Sequence, residues 1–268
     1  MATNHAERAF RAWPILTRVA KQADPTITYG AIAAELGIHH RVVRYVLSEI
    51  QDWCMDEKKP PLTIVVVGAG DGLPGPGFIA WDVDDLPSGM AEVTSYPWEQ
   101  LTNPFTFAST GLTEEDLAKD LSTHPEKAAE IYARVKVRGA AQRIFRRALL
   151  HAYDSQCAIC GMSFEDALQA AHLIPWSAAS HEQRMAPSNG LLLCANHHRL
   201  LDNGLITISP TFVITYYDPE GKDGDYSEAD LDVAVRRHGS KAILPKDKRL
   251  WPDALALAHH HEEWDWEF

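Results

Sequence analysis

The sequence has few cysteines, no excess of basic residues and no long hydrophobic run. No apolar run approaches the roughly 18 residues that a membrane-spanning helix needs, and the N-terminal residues MATNHAERAFRAW are too charged for a secretory signal. Internal repeats and low-complexity tracts are also missing, while 46% hydrophobic and 23% charged residues are typical of folded domains. A wholly disordered chain is therefore excluded, and a soluble cytoplasmic protein with no membrane partner is expected.

Charged residues are unevenly distributed along the chain. The formal net charge of −12, from 37 acidic and 25 basic residues, argues against a protein that coats nucleic acid nonspecifically. The segment 127–147 nevertheless contains seven basic residues and one acid, and RGAAQRIFRRALLHAY has the spacing of a helix. This helix is expected to contact backbone phosphates, with a merely solvated surface as the alternative. The residues expected to make the contacts are Arg138, Gln142, Arg146 and Arg147.

Three of the four cysteines lie within 38 residues of one another. CAIC at 157–160 and CANH at 194–197 form a Cys-x-x-Cys and a Cys-x-x-His separated by 33 residues. Two such turns can close a tetrahedral zinc shell at ~2.0–2.3 Å, which leaves no open position for chemistry. The pattern predicts a structural zinc site in a reducing compartment, with free core cysteines and a surface histidine as the alternative. Its ligands would be Cys157, Cys160, Cys194 and His197, while Cys54 is expected to be a buried apolar residue.

The N-terminal segment has the pattern of a winged helix-turn-helix. Apolar spacing predicts helices over 6–22, 27–38 and 40–57, with Pro14 inside the first and Gly37 ending the second. The β-branched run LTIVVV (62–67) predicts a strand, and GAGDGLPGPGF after it predicts an extended loop. A small helical domain without a ligand is the alternative.

About 50 residues of this segment resemble the DNA-binding winged helix of the alkylguanine alkyltransferases and alkyltransferase-like proteins. The resemblance rests on Thr28-Tyr29-Gly30 and Arg44-Tyr45-Val46, with one extra residue between the two motifs. It implies that Tyr29 and Arg44 help to rotate a nucleotide out of the duplex, whereas Tyr29 as a helix-packing aromatic is the alternative. Aliphatic residues 63–67 replace the family's alkyl-accepting Pro-Cys-His-Arg, so a DNA reader without alkyl transfer is expected, with Arg41 as a further DNA contact.

The C-terminal half resembles the restriction-type HNH nucleases. AAHLIPW (170–176), SNGLLLC (188–194) and NHHRLLDNGLI (196–206) place His172, Asn189 and His198 in the order of the HNH motif, and the resemblance covers about 138–250. It implies the ββα-metal fold, for which the residues supply strands at 171–174 and 190–193 and a helix at 198–202.

The same resemblance implies roles for the motif residues. His172 would be the general base, and Asn189 would orient it, with metal contact as a weaker alternative. His198 and Asp202 are four apart on a predicted helix and would share a cation, with an exchange of His197 and His198 between the two metal sites as the alternative. Many HNH proteins carry Asp or His where this chain has Ala171. Two remaining ligands favour Mg²⁺ or Mn²⁺, unless His172 itself binds the ion.

These patterns predict an α+β protein in three segments. They are a winged-helix DNA-reading domain at 1–83, a connector at 84–125 and a zinc-stabilised HNH domain at 126–268. The expected function is metal-dependent cleavage of double-stranded DNA of the restriction type, with recognition of modified bases by the N-terminal domain. A non-catalytic, zinc-stabilised DNA-binding regulator is the alternative, and a nuclease toxin or homing enzyme ranks lowest. Because two-strand cutting usually requires two active sites, a homodimer is also expected.

Overall fold

The computed structural model of the protein describes residues 4–135 and 137–268. They divide into two units. The N-terminal unit extends to Thr113 and includes Arg134–Ala141, and the C-terminal unit contains Glu114–Ala133 and Gln142–Phe268. Of the helices in the described part of the chain, none has the length and apolar character needed to cross a bilayer.

The N-terminal unit begins with three helices, α1 (His5–Val19), α2 (Tyr29–Leu36) and α3 (His40–Asp56). The Thr28 hydroxyl accepts a hydrogen bond from the Ala31 N–H and so caps α2. Gly37 ends α2 in the left-handed conformation, with a φ of 65°. The predicted helix-turn-helix is therefore present, and Pro14 is accommodated inside α1.

The predicted strand over 62–67 is wrong for most of its length. Leu62–Val65 form a 3-10 helix, and only the two residues of β2 (Val66–Val67) form a strand, which pairs in parallel with β1 (Ile27–Thr28). Amide groups of this segment donate to the carbonyls of Pro60 and Pro61, which favours a tight turn over a sheet ladder. Residues 62–67 are all buried, so their hydrophobicity is satisfied without the expected strand.

The predicted connector 84–125 is folded. It contains α4 (Leu86–Ser95) and α5 (Glu114–Thr123), and α5 belongs to the C-terminal unit. Trp98 and Phe105 are buried in the N-terminal unit against Trp13, with ring centres 5.8 and 6.3 Å from it. Residues 84–113 thus contribute to the core of the N-terminal unit because their aromatic side chains pack there.

The C-terminal unit is built around two antiparallel strands and a helix. Strand β3 (Leu168–His172) pairs with β4 (Gly190–Cys194), and α8 (Ala195–Asp202) follows β4 directly. This arrangement has the strand–strand–helix order that the sequence predicts. The other helices and strands that follow α5 in the chain are α6 (Ala128–Val135), α7 (Arg138–Ala152), the antiparallel pair β5 (Ile206–Ile208) and β6 (Ile214–Tyr216), α9 (Glu228–Val233) and α10 (Ala254–Glu263).

Two buried histidines of α10 pack against the chain around β5. His260 Nδ1 lies 3.1 Å from the Thr207 hydroxyl and its Nε2 lies 3.2 Å from the Leu201 carbonyl oxygen, while His261 Nε2 lies 2.9 Å from the Ile208 carbonyl oxygen. Burial lowers the pKa of both imidazoles, and the carboxylates of Glu263 and Asp202 oppose this shift at His260 more weakly. Both side chains are therefore neutral in the folded protein at pH 7.

We expect the C-terminal unit to lose stability as the pH falls below about 6.5, the ordinary histidine pKa. The unfolded chain binds protons there that the folded chain does not, so the free energy of unfolding decreases by up to about 1.4 kcal/mol per pH unit for His260. Urea unfolding at pH 5, 6 and 7.5 measures this slope. The His260→Gln variant should show a shallower slope than the wild type, and the exposed-site control His40→Gln should not.

Candidate active site and metal centre

Three cysteines and one histidine converge in the C-terminal unit. The ligand atoms of Cys157, Cys160, Cys194 and His197 all lie within 4.8 Å of one another. The Cys194 sulfur is 3.0 Å from His197 Nδ1 and 3.9 Å from the Cys160 sulfur, and none of the described cysteines forms a disulfide. The predicted Cys-x-x-Cys and Cys-x-x-His motifs are thus brought together.

A turn at residues 157–161 and the start of α8 position the four donors. A tight turn in which the Gly161 N–H donates to the Cys157 carbonyl positions the first motif, and Gly161 has a φ of 73°. Cys194 ends β4 and caps α8, so His197 follows in the first turn of that helix. His197 Nε2 donates to the Val233 carbonyl oxygen at 2.8 Å. The other ring nitrogen, Nδ1, therefore faces the sulfurs with its lone pair, as a metal-binding histidine does.

The three thiols of the cluster differ in how readily they lose a proton. A hydrogen bond from Cys194 lowers the pKa of Cys157 to about 3, against the opposing effect of burial. Burial raises the pKa of Cys160, and the hydrogen bond to Cys157 raises that of Cys194. Only one thiolate is therefore favoured without a cation, whereas a divalent ion would stabilise all three. Three sulfurs and one imidazole fit a closed tetrahedral zinc site.

His172 ends β3 opposite Gly190 of β4. Its Nε2 donates to the Arg184 carbonyl oxygen at 3.1 Å, which leaves the lone pair on Nδ1. Burial lowers the pKa of His172 and the neighbouring His198 acts in the same direction, while the Arg184 carbonyl opposes them. The imidazole is therefore neutral at pH 7 and available to accept a proton.

An aromatic ring supports His172 from one side. The Phe145 ring stacks on the imidazole with ring centres 4.1 Å apart and planes 16° apart. A β-carbon at Gly190 would lie 2.5 Å from Phe145 Cζ and 2.9 Å from Leu149 Cδ1. Gly190 thus leaves the space that this ring occupies. Neither Phe145 nor Gly190 was predicted as a site residue, because nothing in a single sequence indicates their proximity.

Asn189 is almost fully buried, with 2% of its surface exposed. Its Oδ1 accepts from the Ile174 N–H at 2.8 Å, and its Nδ2 donates to the carbonyls of Ile174 and Gln183 at 3.2 and 3.0 Å. These bonds connect the chain that leaves His172 with the start of β4. The side chain thus has the connections that an orienting role requires.

His198 and Asp202 lie one turn apart on α8. His198 Nε2 is 3.4 Å from Asp202 Oδ2, and His198 Nδ1 is 2.7 Å from the Gln169 side-chain oxygen. Gln169, on β3, was not expected at the site. Of the described residues, only the cysteine–histidine cluster brings three or more metal donors this close together. His198 and Asp202 thus form a two-donor pair, and the buried methyl group of Ala171 adds no donor.

Residues 157–209 match the family model of the HNH endonucleases. The chain contains an HNH endonuclease domain. The match includes all four residues of the cysteine–histidine cluster as well as β3, β4 and α8. This domain is a phosphodiester hydrolase by family, and HNH domains as a family are metal-dependent.

A solved structure titled "Modification dependent TagI restriction endonuclease" is similar to part of the chain. The similarity covers 44% of this chain and 36% of that one, with 20% sequence identity and a TM-score of 0.29. The chain thus spans little more than a third of the length of that enzyme. Comparison with curated proteins gives no significant match.

The residues of α7 that were expected to bind phosphate have different environments. Arg146 donates to the carbonyls of Leu168 and Glu165 at 3.0 and 2.6 Å, so it supports the start of β3 in the HNH domain. Arg147 lies 3.9 Å from the Glu114 carboxylate, which Arg143 binds through two nitrogens. Gln142 and Arg138 are exposed.

Two of the DNA-contacting residues expected in the N-terminal unit line a cavity of about 440 Å³. Tyr29 and Arg44 line it, and Arg41 is exposed on the same helix as Arg44. The Tyr29 hydroxyl accepts from the Gly75 N–H at 2.9 Å. Thr63, which is 3% exposed, also lines the cavity, and its hydroxyl has no hydrogen-bond partner in the described structure. The remaining lining residues are Leu47, Ser48, Gln51, Gly75, Pro76, Gly77 and Phe78.

Proposed function

We propose that the protein is a metal-dependent DNA endonuclease of the restriction type, in which the HNH domain cuts double-stranded DNA and the N-terminal unit selects the site. The observation that carries the proposal is the state of His172. Its ring is neutral, its Nε2 donates to a carbonyl, and none of the described residues forms a hydrogen bond with its Nδ1, as a general base requires. The chemistry would be the hydrolysis of a phosphodiester bond.

In this reaction His172 Nδ1 takes a proton from the attacking water, and Asn189 keeps the His172 strand aligned through its bonds to Ile174. His198 and Asp202 would hold a divalent ion, which neutralises charge on the phosphate and the leaving 3′ oxygen when bound. One imidazole and one carboxylate leave room for water and phosphate oxygens, which favours Mg²⁺ or Mn²⁺. The cysteine–histidine cluster would hold zinc and stabilise the fold.

DNA would be held mainly through its phosphates. Arg138, Gln142 and Arg147 of α7 and Arg41 of α3 would make contacts of this kind, which position the duplex without reading its sequence. Arg146, by contrast, donates to two main-chain carbonyls, and we assign it to the support of β3. Cutting of both strands would use two copies of the chain in a homodimer.

The cavity of the N-terminal unit supports recognition of a modified base. A partly open, largely apolar cavity that is lined by the unpartnered Thr63 hydroxyl suits a planar base that has been rotated out of the duplex. Tyr29 and Arg44 line the cavity, where they would assist that rotation. Burying a base next to the Thr63 hydroxyl would also supply the hydrogen bond that this group lacks.

Digestion of plasmids that differ only in base modification tests this function. We expect cleavage with Mg²⁺ or Mn²⁺ to prefer DNA carrying 5-methylcytosine, 5-hydroxymethylcytosine or N6-methyladenine over unmodified DNA. The near-isosteric Thr63→Val variant should change this preference by about fivefold, since one hydrogen bond is worth about 1 kcal/mol. Thr94→Val, outside the cavity, is the control. Equal cutting of all plasmids by the wild type would reject the modified-base reader but not the nuclease.

A further inference from the structure

Arg184 lies in the loop between β3 and β4, and its main-chain carbonyl contacts His172. Its carbonyl oxygen receives the proton of His172 Nε2 at 3.1 Å. The position of this carbonyl therefore determines how the imidazole ring is turned and which nitrogen carries the proton.

The side chain of Arg184 fastens the same residue to its surroundings. Its Nε donates to the Trp176 carbonyl oxygen at 3.1 Å, and its Nη1 donates to the Tyr132 hydroxyl at 2.8 Å. The guanidinium carbon lies 5.2 Å from the Trp176 ring centre and 5.7 Å from that of Tyr132. A flat group with several donors suits this setting, whereas the ammonium of a lysine matches neither its hydrogen bonds nor its stacking.

Trp176 closes this arrangement around the base. Its ring packs edge-on against His172 with centres 5.9 Å apart, and it lies 6.0 Å from the Tyr132 ring. One tryptophan therefore touches His172 directly and also fixes Arg184 through its carbonyl. Because Trp176 and Tyr132 both bind the Arg184 side chain, the Arg184 carbonyl oxygen that accepts from His172 is kept in one place.

We propose that Arg184 is a positioning residue for DNA cleavage: its guanidinium, bound by Tyr132 and Trp176, holds its own carbonyl where that carbonyl fixes the ring and tautomer of His172. The proposal rests on the proposed role of His172 as general base. A small displacement of a base from its productive geometry lowers the rate of the chemical step while leaving DNA binding intact.

Two variants and one matched control test the proposal in the zinc-loaded protein of 268 residues. Arg184→Lys should lower kcat for plasmid cleavage about tenfold with KM within about twofold of the wild type, and Tyr132→Phe should have a smaller effect in the same direction. Arg236→Lys alters an exposed arginine that pairs with Asp232 and Glu228 and should change neither constant.

Nuclear magnetic resonance of protein labelled with ¹⁵N-histidine reads the tautomer directly. The His172 signals are assigned by their loss in the His172→Gln variant. We expect His172 to carry its proton on Nε2 in the wild type and to populate both tautomers in Arg184→Lys. If Arg184→Lys does not fold, Tyr132→Phe provides the same comparison.

Two results would overturn the proposal, and a third would instead overturn the role of His172 on which it rests. Unchanged kcat and an unchanged tautomer in both folded variants would show that Arg184 does not position His172. A raised KM with unchanged kcat would assign Arg184 to DNA binding and equally overturn it. Cleavage by His172→Gln at the wild-type rate would instead reject the proposed role of His172, and the tautomer measurement would still decide whether Arg184 fixes the ring.

Discussion

Substitution of His172 by glutamine is expected to lower the rate of plasmid cleavage by about 10²- to 10⁴-fold, the usual contribution of a general base. Glutamine keeps hydrogen-bonding capacity and similar size, but it accepts no proton at neutral pH. The Nδ1 lone pair that the Arg184 carbonyl leaves free on His172 is therefore the property removed. Cleavage rates of supercoiled plasmid at saturating protein measure the effect.

Duplex binding by His172→Gln should remain within about twofold of the wild type, because most DNA affinity comes from contacts to phosphate. His124→Gln, which alters an exposed histidine paired with Asp120, is the control for loss of an imidazole. Equal cleavage by His172→Gln and wild type would refute the assignment of the base. Lost binding together with lost cleavage would show that the residue acts in DNA recognition.

Substitution of Cys157 by serine is expected to unfold the C-terminal unit. Zinc binding by such sites contributes about 10–16 kcal/mol in small peptides, which is comparable with the whole stability of a domain. Serine replaces a thiolate that lies within 4.8 Å of the three other donors. Loss of bound zinc by elemental analysis and loss of a cooperative melting transition for this unit would be measured together.

Cys54→Ala is the matched control for this experiment. Cys54 is also fully buried, and burial raises its pKa to about 12. It lies in α3 of the N-terminal unit, about 100 residues before the first cysteine of the cluster. This variant should keep one zinc per chain and the melting transition of the C-terminal unit. A Cys157→Ser protein that melts normally after zinc removal would contradict a structural role for the cluster.

Features that depend on close sequence spacing are the ones the sequence could predict. The two cysteine motifs, the i and i+4 spacing of His198 and Asp202, and the order of β3, β4 and α8 all follow from short-range patterns. Local patterns also located the first three helices of the N-terminal unit, since Thr28 and Gly37 mark the ends of α2, but they missed α4.

Features that depend on tertiary packing could not be predicted from the sequence. LTIV at 62–65 has strand-like composition, yet burial in the core is compatible with the 3-10 turn that it forms. Arg146 has the appearance of a phosphate ligand on a basic helix, but its guanidinium finds two carbonyls near β3. Phe145 and Gly190 are 45 residues apart, so only the folded chain shows that one makes room for the other.

The dependence of plasmid cleavage on added metal, at constant zinc content, tests the central claim most directly. Protein with one zinc per chain is freed of loosely bound ions, and cleavage is then followed across Mg²⁺ and Mn²⁺ concentrations for wild type and His172→Gln. We expect no cleavage without added ion, saturable cleavage by the wild type, and rates lower by 10²-fold or more for the variant at every concentration. Full-rate cleavage by zinc-loaded protein in the absence of a second ion would contradict this expectation.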